Sequence, residues 1–158
     1  MFLLLLLNTA FASNIWIGDS HTVIGLGKHA KSLGMSVYAK SGSGPKYWSM
    51  NYPTESADIT FIALGDNGLA GIDQLLAKVK TPCYWISPTW GEKKSYEHMT
   101  SQLRTIREKV IGKCEVVPGI EILSRDDVDT TDGIHLTMDS YRLWFARIHD
   151  FITRPYND

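Results

Sequence analysis

This chain has little of what marks several common protein classes. It holds two cysteines in 158 residues, and neither sits in a C-x-x-C pair or among the neighbours of a metal site. No H-E-x-x-H stretch or comparable cluster points to a catalytic metal. Charge of neither sign dominates: 16 Lys+Arg face 17 Asp+Glu, for a net charge of −1, with no basic or acidic block. A nucleic-acid surface needs clustered Lys and Arg, so no nucleic-acid partner is expected. The G-x-x-x-x-G-K-[ST] spacing of a phosphate-binding P-loop is missing. Asp126, Asp127 and Asp129 lack the spacing of an EF-hand and read as a solvated turn. No repeat, linker or low-complexity segment interrupts the chain, and its length suits one domain with a real core.

An apolar run from Phe2 to Leu7 opens the chain, and it is too short to span a bilayer as a helix. With Ala10-Phe11-Ala12 behind it, the run reads as the apolar part and small-residue cleavage site of a secretory leader. No Lys or Arg precedes it, so an apolar first strand or a membrane-tethering stub is the competing reading. The expected organisation is therefore a leader or apolar segment over 1–12 and a single domain over 13–158. Export to the periplasm or the extracellular space follows, with no stable membrane span in the mature chain. Cys83 and Cys114 suit that compartment as one disulfide, and two buried free thiols fit the sequence equally well.

What is there is an alternation of strands and helices. Asn14-Ile15-Trp16-Ile17-Gly18-Asp19-Ser20-His21-Thr22 reads as a short buried strand, a glycine turn and the start of a helix. Val23, Leu26, Ala30 and Leu33 lie on one face of that helix, and Gly34 stops it. Strands are then expected at Met35–Ala39, Asp58–Leu64 and Cys83–Ser87. A fifth lies near Cys114–Val117 or slightly later, at Ile120–Leu123. Between them run amphipathic helices marked by Leu69, Ile72, Leu75, Leu76 and Val79, and by Tyr96, Met99, Leu103, Ile106 and Val110. A last helix buries Tyr141, Trp144, Phe145, Ile148, Phe151 and Ile152. The pattern predicts a three-layer α/β/α sandwich around a parallel five-stranded sheet.

In such a sheet the loops after the strands share one edge, where ligands bind. Ser20, Gly44, Asn67 and the Asp132/His135 pair all fall in these loops. Asp19 and Ser20 are both good N-cap residues, so capping of the first helix competes with a chemical role for Ser20. A serine near a histidine, with a carboxylate to orient the ring, is the arrangement that acyl transfer uses. Asp132 can reach the second ring nitrogen of His135 if the chain turns tightly at Gly133. Backbone N–H groups at Ser20 and Gly44 and the Asn67 amide suit a developing oxyanion.

Gly18-Asp19-Ser20, Gly44, Gly65-Asp66-Asn67 and Asp132-Gly133-Ile134-His135 resemble the four sequence blocks of the SGNH (GDSL-type) hydrolases, in the family's order. That resemblance implies a flavodoxin-like sheet and a serine esterase or acylhydrolase that needs no metal or cofactor. It makes Ser20 the nucleophile, His135 the base and Asp132 its partner, with Ser20, Gly44 and Asn67 as oxyanion donors. Two departures stand out. The family's Gly-x-Asn-Asp block has Gly68 in place of the final Asp, which implies altered loop packing. The second block offers both Gly42 and Gly44, and Gly44, followed by Pro45, is the preferred donor.

Tyr47, Trp48 and Trp90 follow loops on this edge, where aromatic faces suit a sugar or an acyl chain, while packing of the loops is the plainer role. His21, beside the nucleophile, is either a substrate contact or an exposed residue at the helix start. His29, His98 and His149 read as surface or boundary residues, and Asp19 as structural. The expected substrate is a small acyl ester, with O-acetyl groups on an extracytoplasmic carbohydrate in view. A lysophospholipase or thioesterase, an acyltransferase, and a non-catalytic carbohydrate-binding relative are the alternatives.

Overall fold

The computed structural model describes residues 13–154. The leader or apolar segment expected over 1–12 lies outside the described residues. Five strands, β1 (Ile15–Gly18), β2 (Ser36–Ala39), β3 (Thr60–Ala63), β4 (Cys83–Ile86) and β5 (Cys114–Val117), pair in parallel in the order β2-β1-β3-β4-β5. This is the doubly wound, flavodoxin-like strand order. β1 and β3 are buried at every position, as central parallel strands covered on both faces are.

Alternate residues of each strand point to opposite faces, and the two faces hold separate cores. On one side Trp16, Phe61, Ile86 and Val117 meet helix α1 (Gly27–Ser32) and the last helix, α6 (Met138–Thr153), through Ala30, Tyr141, Trp144, Phe145 and Ile148. On the other, Ile17, Ile62 and Trp85 meet α2 (Pro45–Met50), α3 (Ile72–Lys78) and α4 (Tyr96–Val110) through Trp48, Leu75, Leu76, Ile106 and Val110. Full burial of each Val, Leu, Ile or Phe among them contributes about 1.5–3 kcal/mol. The expected three-layer sandwich is present. Among the described residues no helix is long and apolar enough to cross a membrane.

The boundaries differ from the sequence reading where local hydrogen bonds outcompete the ladder. β2 starts after Met35, whose N–H donates to Ala30 O while Gly34 N–H donates to Lys31 O. With Gly34 at φ +85°, this is the Schellman closure of α1. Ahead of β3, the N–H of Ile59 is taken by the Asn14 side chain. The fifth strand takes the earlier of its two positions, because Pro118 and a glycine that packs against Ser87 O start the short helix α5 (Gly119–Ile122) instead. The stretch holding Tyr47 and Trp48 is helical, with Pro45 in its first turn, a position for which proline is pre-organised. Cys83 and Cys114 face each other across β4 and β5 and form a disulfide.

Candidate active site

The site begins at the end of β1. A side chain at Gly18 would place Cβ 1.8 Å from Thr22 Oγ1, so only glycine lets the chain fold back over the strand so tightly. Thr22 Oγ1 accepts from Trp16 Nε1 at 3.0 Å, which ties the first helical turn to the strand. A π-helical turn, Thr22–Leu26, then leads into α1, with the Tyr141 ring packed against Gly25. Asp19 takes the capping role: its Oδ1 accepts from His21 N–H, and its carbonyl accepts from Thr22 and Val23 N–H. Ser20 is left with its hydroxyl on the open side.

That hydroxyl lies 2.9 Å from His135 Nε2, and His135 Nδ1 lies 2.6 Å from Asp132 Oδ2. The pair is held by a tight loop before α6. Gly133 turns at φ +88°, Thr131 N–H donates to His135 O, and Asp132 Oδ1 accepts from the N–H groups of Ile134 and His135. The hydrogen bond from the His135 ring, then the two from the backbone, hold the Asp132 carboxyl well below the usual carboxylate range. An ionised carboxylate only accepts, so Nδ1 carries the proton and Nε2 is free to accept from Ser20 Oγ. The three residues spaced across the sequence are thus one connected chain of hydrogen bonds.

Asn67 stands on the turn after β3. Gly68 sits at φ +84° and donates to Gly65 O, a left-handed closure that favours glycine over the family's usual aspartate. Asn67 Nδ2 donates to Ser43 O at 3.0 Å, and an amide NH₂ has a second hydrogen to offer. Gly44 caps α2 and stands against the same turn, its Cβ direction 3.5 Å from Asn67 O. Of the two glycines in the second block, Gly42 is the one that lines the cleft.

The cleft has a volume of about 620 Å³. Ser20 and His135 both line it, joined by their hydrogen bond. Ser41, Gly42 and Asn67 come from the loops after β2 and β3, and Lys93, Lys94, Ser95 and His98 from the β4–α4 connection and the start of α4. Ile24 and Ile134 add half-exposed apolar surface.

None of the four expected substrate contacts, His21, Tyr47, Trp48 and Trp90, lines this cleft. His21 is 3% exposed, with Nδ1 2.8 Å from the Tyr141 hydroxyl and Nε2 paired with Asp66. Trp48 is buried in the core, its Nε1 donating to Ser43 Oγ, and Tyr47 packs edge-on against it. Trp90 is buried with Nε1 donating to Leu123 O, and Tyr96 stacks on its ring. Aromatic area of this size is stabilised most by burial, and a polar partner for each indole N–H removes the reason to face water.

The sequence reading missed the polar group beneath the site. Asp66 accepts from Lys94 Nζ at 2.7 and 2.9 Å through its two oxygens, and it also pairs with His21. Lys94 Nζ donates further to Thr89 O. Burial pushes Asp66 up, but the hydrogen bond and charge of His21, and then Lys94, outweigh it and hold the carboxyl at about 2. Asp19, 2% exposed, is pushed up to about 6, chiefly by burial, against the lowering pull of His21. Tyr141 is pushed well above the ordinary phenol range, first by burial. Asp66 is the residue just before Asn67, so the carboxylate of this loop has its anchor one side of the amide where the family's pattern has it on the other.

No protein-family model matches the chain. Among curated proteins it is similar to Protein BcsX of Komagataeibacter xylinus, 38% identical over 69 residues. The match covers 41% of this chain and only 26% of that protein. Solved structures with a similar fold include a GDSL-like lipase from Bacteroides thetaiotaomicron, with a TM-score of 0.68 and 17% identity, covering 91% of this chain and 89% of that one. The C-terminal catalytic domain of the peptidoglycan O-acetyltransferase OatA from Streptococcus pneumoniae has a TM-score of 0.68 and 15% identity, with 87% and 90% covered. A carbohydrate acetylesterase family member from Sinorhizobium meliloti has a TM-score of 0.55 and 14% identity, with 89% and 97% covered. These are likenesses of fold, and they agree with the four sequence blocks: the chain has the fold of the SGNH (GDSL-type) hydrolase family.

Proposed function

We propose that this protein is a serine esterase that cleaves small acyl esters, O-acetyl groups on an extracytoplasmic carbohydrate foremost, through a covalent acyl-serine. The observation that carries the reading is the connected Ser20–His135–Asp132 geometry at the carboxyl edge of the sheet. Ser20 Oγ attacks the ester carbonyl carbon while His135 Nε2 takes its proton, and Asp132 stabilises the imidazolium from the Nδ1 side. The carbonyl oxygen, now carrying the negative charge, is met by the Ser20 N–H, the second hydrogen of Asn67 Nδ2 and a backbone N–H of the glycine loop, with Gly42 lining the cleft and Gly44 behind it against the Asn67 turn. Collapse expels the alcohol, which takes its proton from His135. Water, deprotonated by His135, then attacks the acyl-serine and releases the acid, restoring Ser20.

The shape of the cleft supports a short acyl group. Its apolar lining is Ile24 and Ile134, with polar or charged groups and glycine elsewhere, which gives a long alkyl chain little surface to bury. The fold shared with an acetylesterase and an O-acetyltransferase domain supports acetyl chemistry on sugars. The Cys83–Cys114 disulfide supports an oxidising compartment.

The test is hydrolysis of p-nitrophenyl acetate, butyrate and octanoate by wild type and by Ser20→Ala. Turnover that falls with chain length and is lost in the variant is expected, a loss of about 10³-fold or more in kcat. Preference for octanoate would move the reading to a lipid or thioester hydrolase. Absence of turnover from folded protein would favour an acyltransferase or a binding domain.

A further inference from the structure

The cleft has an uneven charge inventory. Two of its lining side chains, Lys93 and His98, have no hydrogen-bond or ion-pair partner among the described residues, although the chain as a whole carries a net charge of −1. The lining carboxylate, Asp66, is already paired with Lys94 and His21. Asp132, just behind His135, is held by that ring and two backbone N–H groups. Glu92, next to Lys93 in sequence, lines a different depression with Trp90 and Arg125. Among the described residues, the one carboxylate lining the cleft is thus already engaged, and none is left to balance Lys93.

Lys93 is also fastened in place. Its N–H donates to Gly133 O at 2.9 Å, and its aliphatic stem lies across Gly133, where a Cβ would come within 2.6 Å of Lys93 Cγ. The same turn packs Gly91 against the Gly133 carbonyl, 2.9 Å from a Cβ at that position, and Lys94 N–H donates to Gly91 O. The turn is therefore moulded onto the loop that carries Asp132 and His135. It sends Lys94 inward to the buried carboxylate and Lys93 into the cleft. A lysine whose stem is already packed loses less freedom when its ammonium binds an anion.

We propose that the alcohol part of the substrate is an anionic sugar, with its carboxylate or phosphate bound by Lys93 and His98 while its ester meets Ser20. Lys93 supplies the charge, the His98 ring adds an N–H donor, and the interaction selects among acylated sugars without taking part in bond cleavage. The inference rests on the esterase reading above.

The experiment compares three mono-O-acetylated methyl glucosides, acetylated at the same hydroxyl: the neutral sugar, its 6-carboxylate and its 6-phosphate. Acetate release gives kcat/KM for each. Wild type is expected to favour an anionic sugar over the neutral one by about tenfold, as a charge-assisted hydrogen bond allows, with the preference shrinking as salt is raised. Whichever anion is favoured identifies the source of the charge. Lys93→Met, which keeps the stem over Gly133, is expected to bring the ratio towards one, and Lys93→Arg to retain it. His98→Gln should lower the ratio by a smaller factor.

A wild-type ratio near one, or a ratio that Lys93→Met leaves in place, would overturn the proposal. Wild-type turnover separates it from the esterase reading, because hydrolysis of none of the three sugars nor of p-nitrophenyl acetate would mark failure of that reading. In that event direct titration of Ser20→Ala with the methyl 6-carboxylate and 6-phosphate sugars decides the anion site. Binding lost in the Ser20→Ala/Lys93→Met double variant supports it, and no binding overturns it.

Discussion

Replacing Asp66 by Asn tests the buried polar group on which the candidate site stands. The substitution keeps the shape and an oxygen acceptor, and it removes the charge. Asp66 is held at about 2 against an ordinary value of 3.8, and about two pKa units correspond to about 2.5 kcal/mol of folding free energy. Because the folded value is the lower one, this stability is present above pH 4 and is lost as pH falls from about 4 towards about 2. At pH 7 it is fully in place. Seen from the other partners, the variant leaves the Lys94 ammonium, 9% exposed, and His21, 3% exposed, without their carboxylate, and stranding a buried charge costs about 3–5 kcal/mol. These are two views of one interaction, so the expected loss is about 3 kcal/mol rather than the sum. Urea unfolding at pH 7 would show it as a midpoint lower by about 1.5 M, for a slope of about 2 kcal/mol/M. Lys94→Met should cost less in the Asp66→Asn background than in wild type, with a coupling of about 1–3 kcal/mol. Added salt should change little, because the pair is shielded from water. A loss under about 0.5 kcal/mol, or strictly additive single variants, would refute the reasoning, since a buried carboxylate clamped by Lys94 and His21 cannot be silent.

Asp19→Asn should act in the opposite sense. With the folded value raised to about 6 from 3.8, wild type loses stability as pH rises from about 4 to about 6, by up to about 3 kcal/mol. The variant should show a flat melting temperature across that window, and a decline as steep as that of wild type would count against a buried, proton-holding Asp19. Replacing Cys83 and Cys114 together by Ser opens a crosslink between residues 31 apart in sequence, for which chain entropy predicts a loss of about 3.5 kcal/mol. Unfolding of the variant against oxidised wild type measures it, and equal stability would show that the bridge does not constrain the unfolded chain.

Much of the fold was legible because parallel central strands must be apolar throughout and helices must bury one face. Ile15–Ile17 and the apolar part of Asp58–Leu64 could hardly be anything but interior strands, and the stripe from Tyr141 to Ile148 could hardly be anything but the buried side of a helix. Chain order and strand parallelism also bring the loops bearing Ser20, Asn67 and His135 to one edge. Glycine spacing at Gly18 and Gly133 showed where the chain had to turn, for the steric reason that the structure makes explicit. The amino-acid sequence by itself thus determined the layering, the strand edge at which the chemistry gathers and the short-range pairing of Asp132 with His135.

Tertiary structure decided what depends on neighbours distant in the chain. Nothing local distinguishes a Trp that meets a sugar from one whose N–H finds Leu123 O across 33 residues, as Trp90 does. His21 reads as a helix-start histidine until Tyr141 and Asp66 are placed on either side of it. Cys83 and Cys114 became partners only when β4 and β5 proved to be neighbours in register. Lys93 and Lys94 are adjacent and chemically identical in the sequence, yet one neutralises a buried carboxylate and the other stands in the cleft. The physical reason is the same in each case. Burial and charge pairing are properties of the space around a side chain, and that space is made by segments that local pattern cannot bring together.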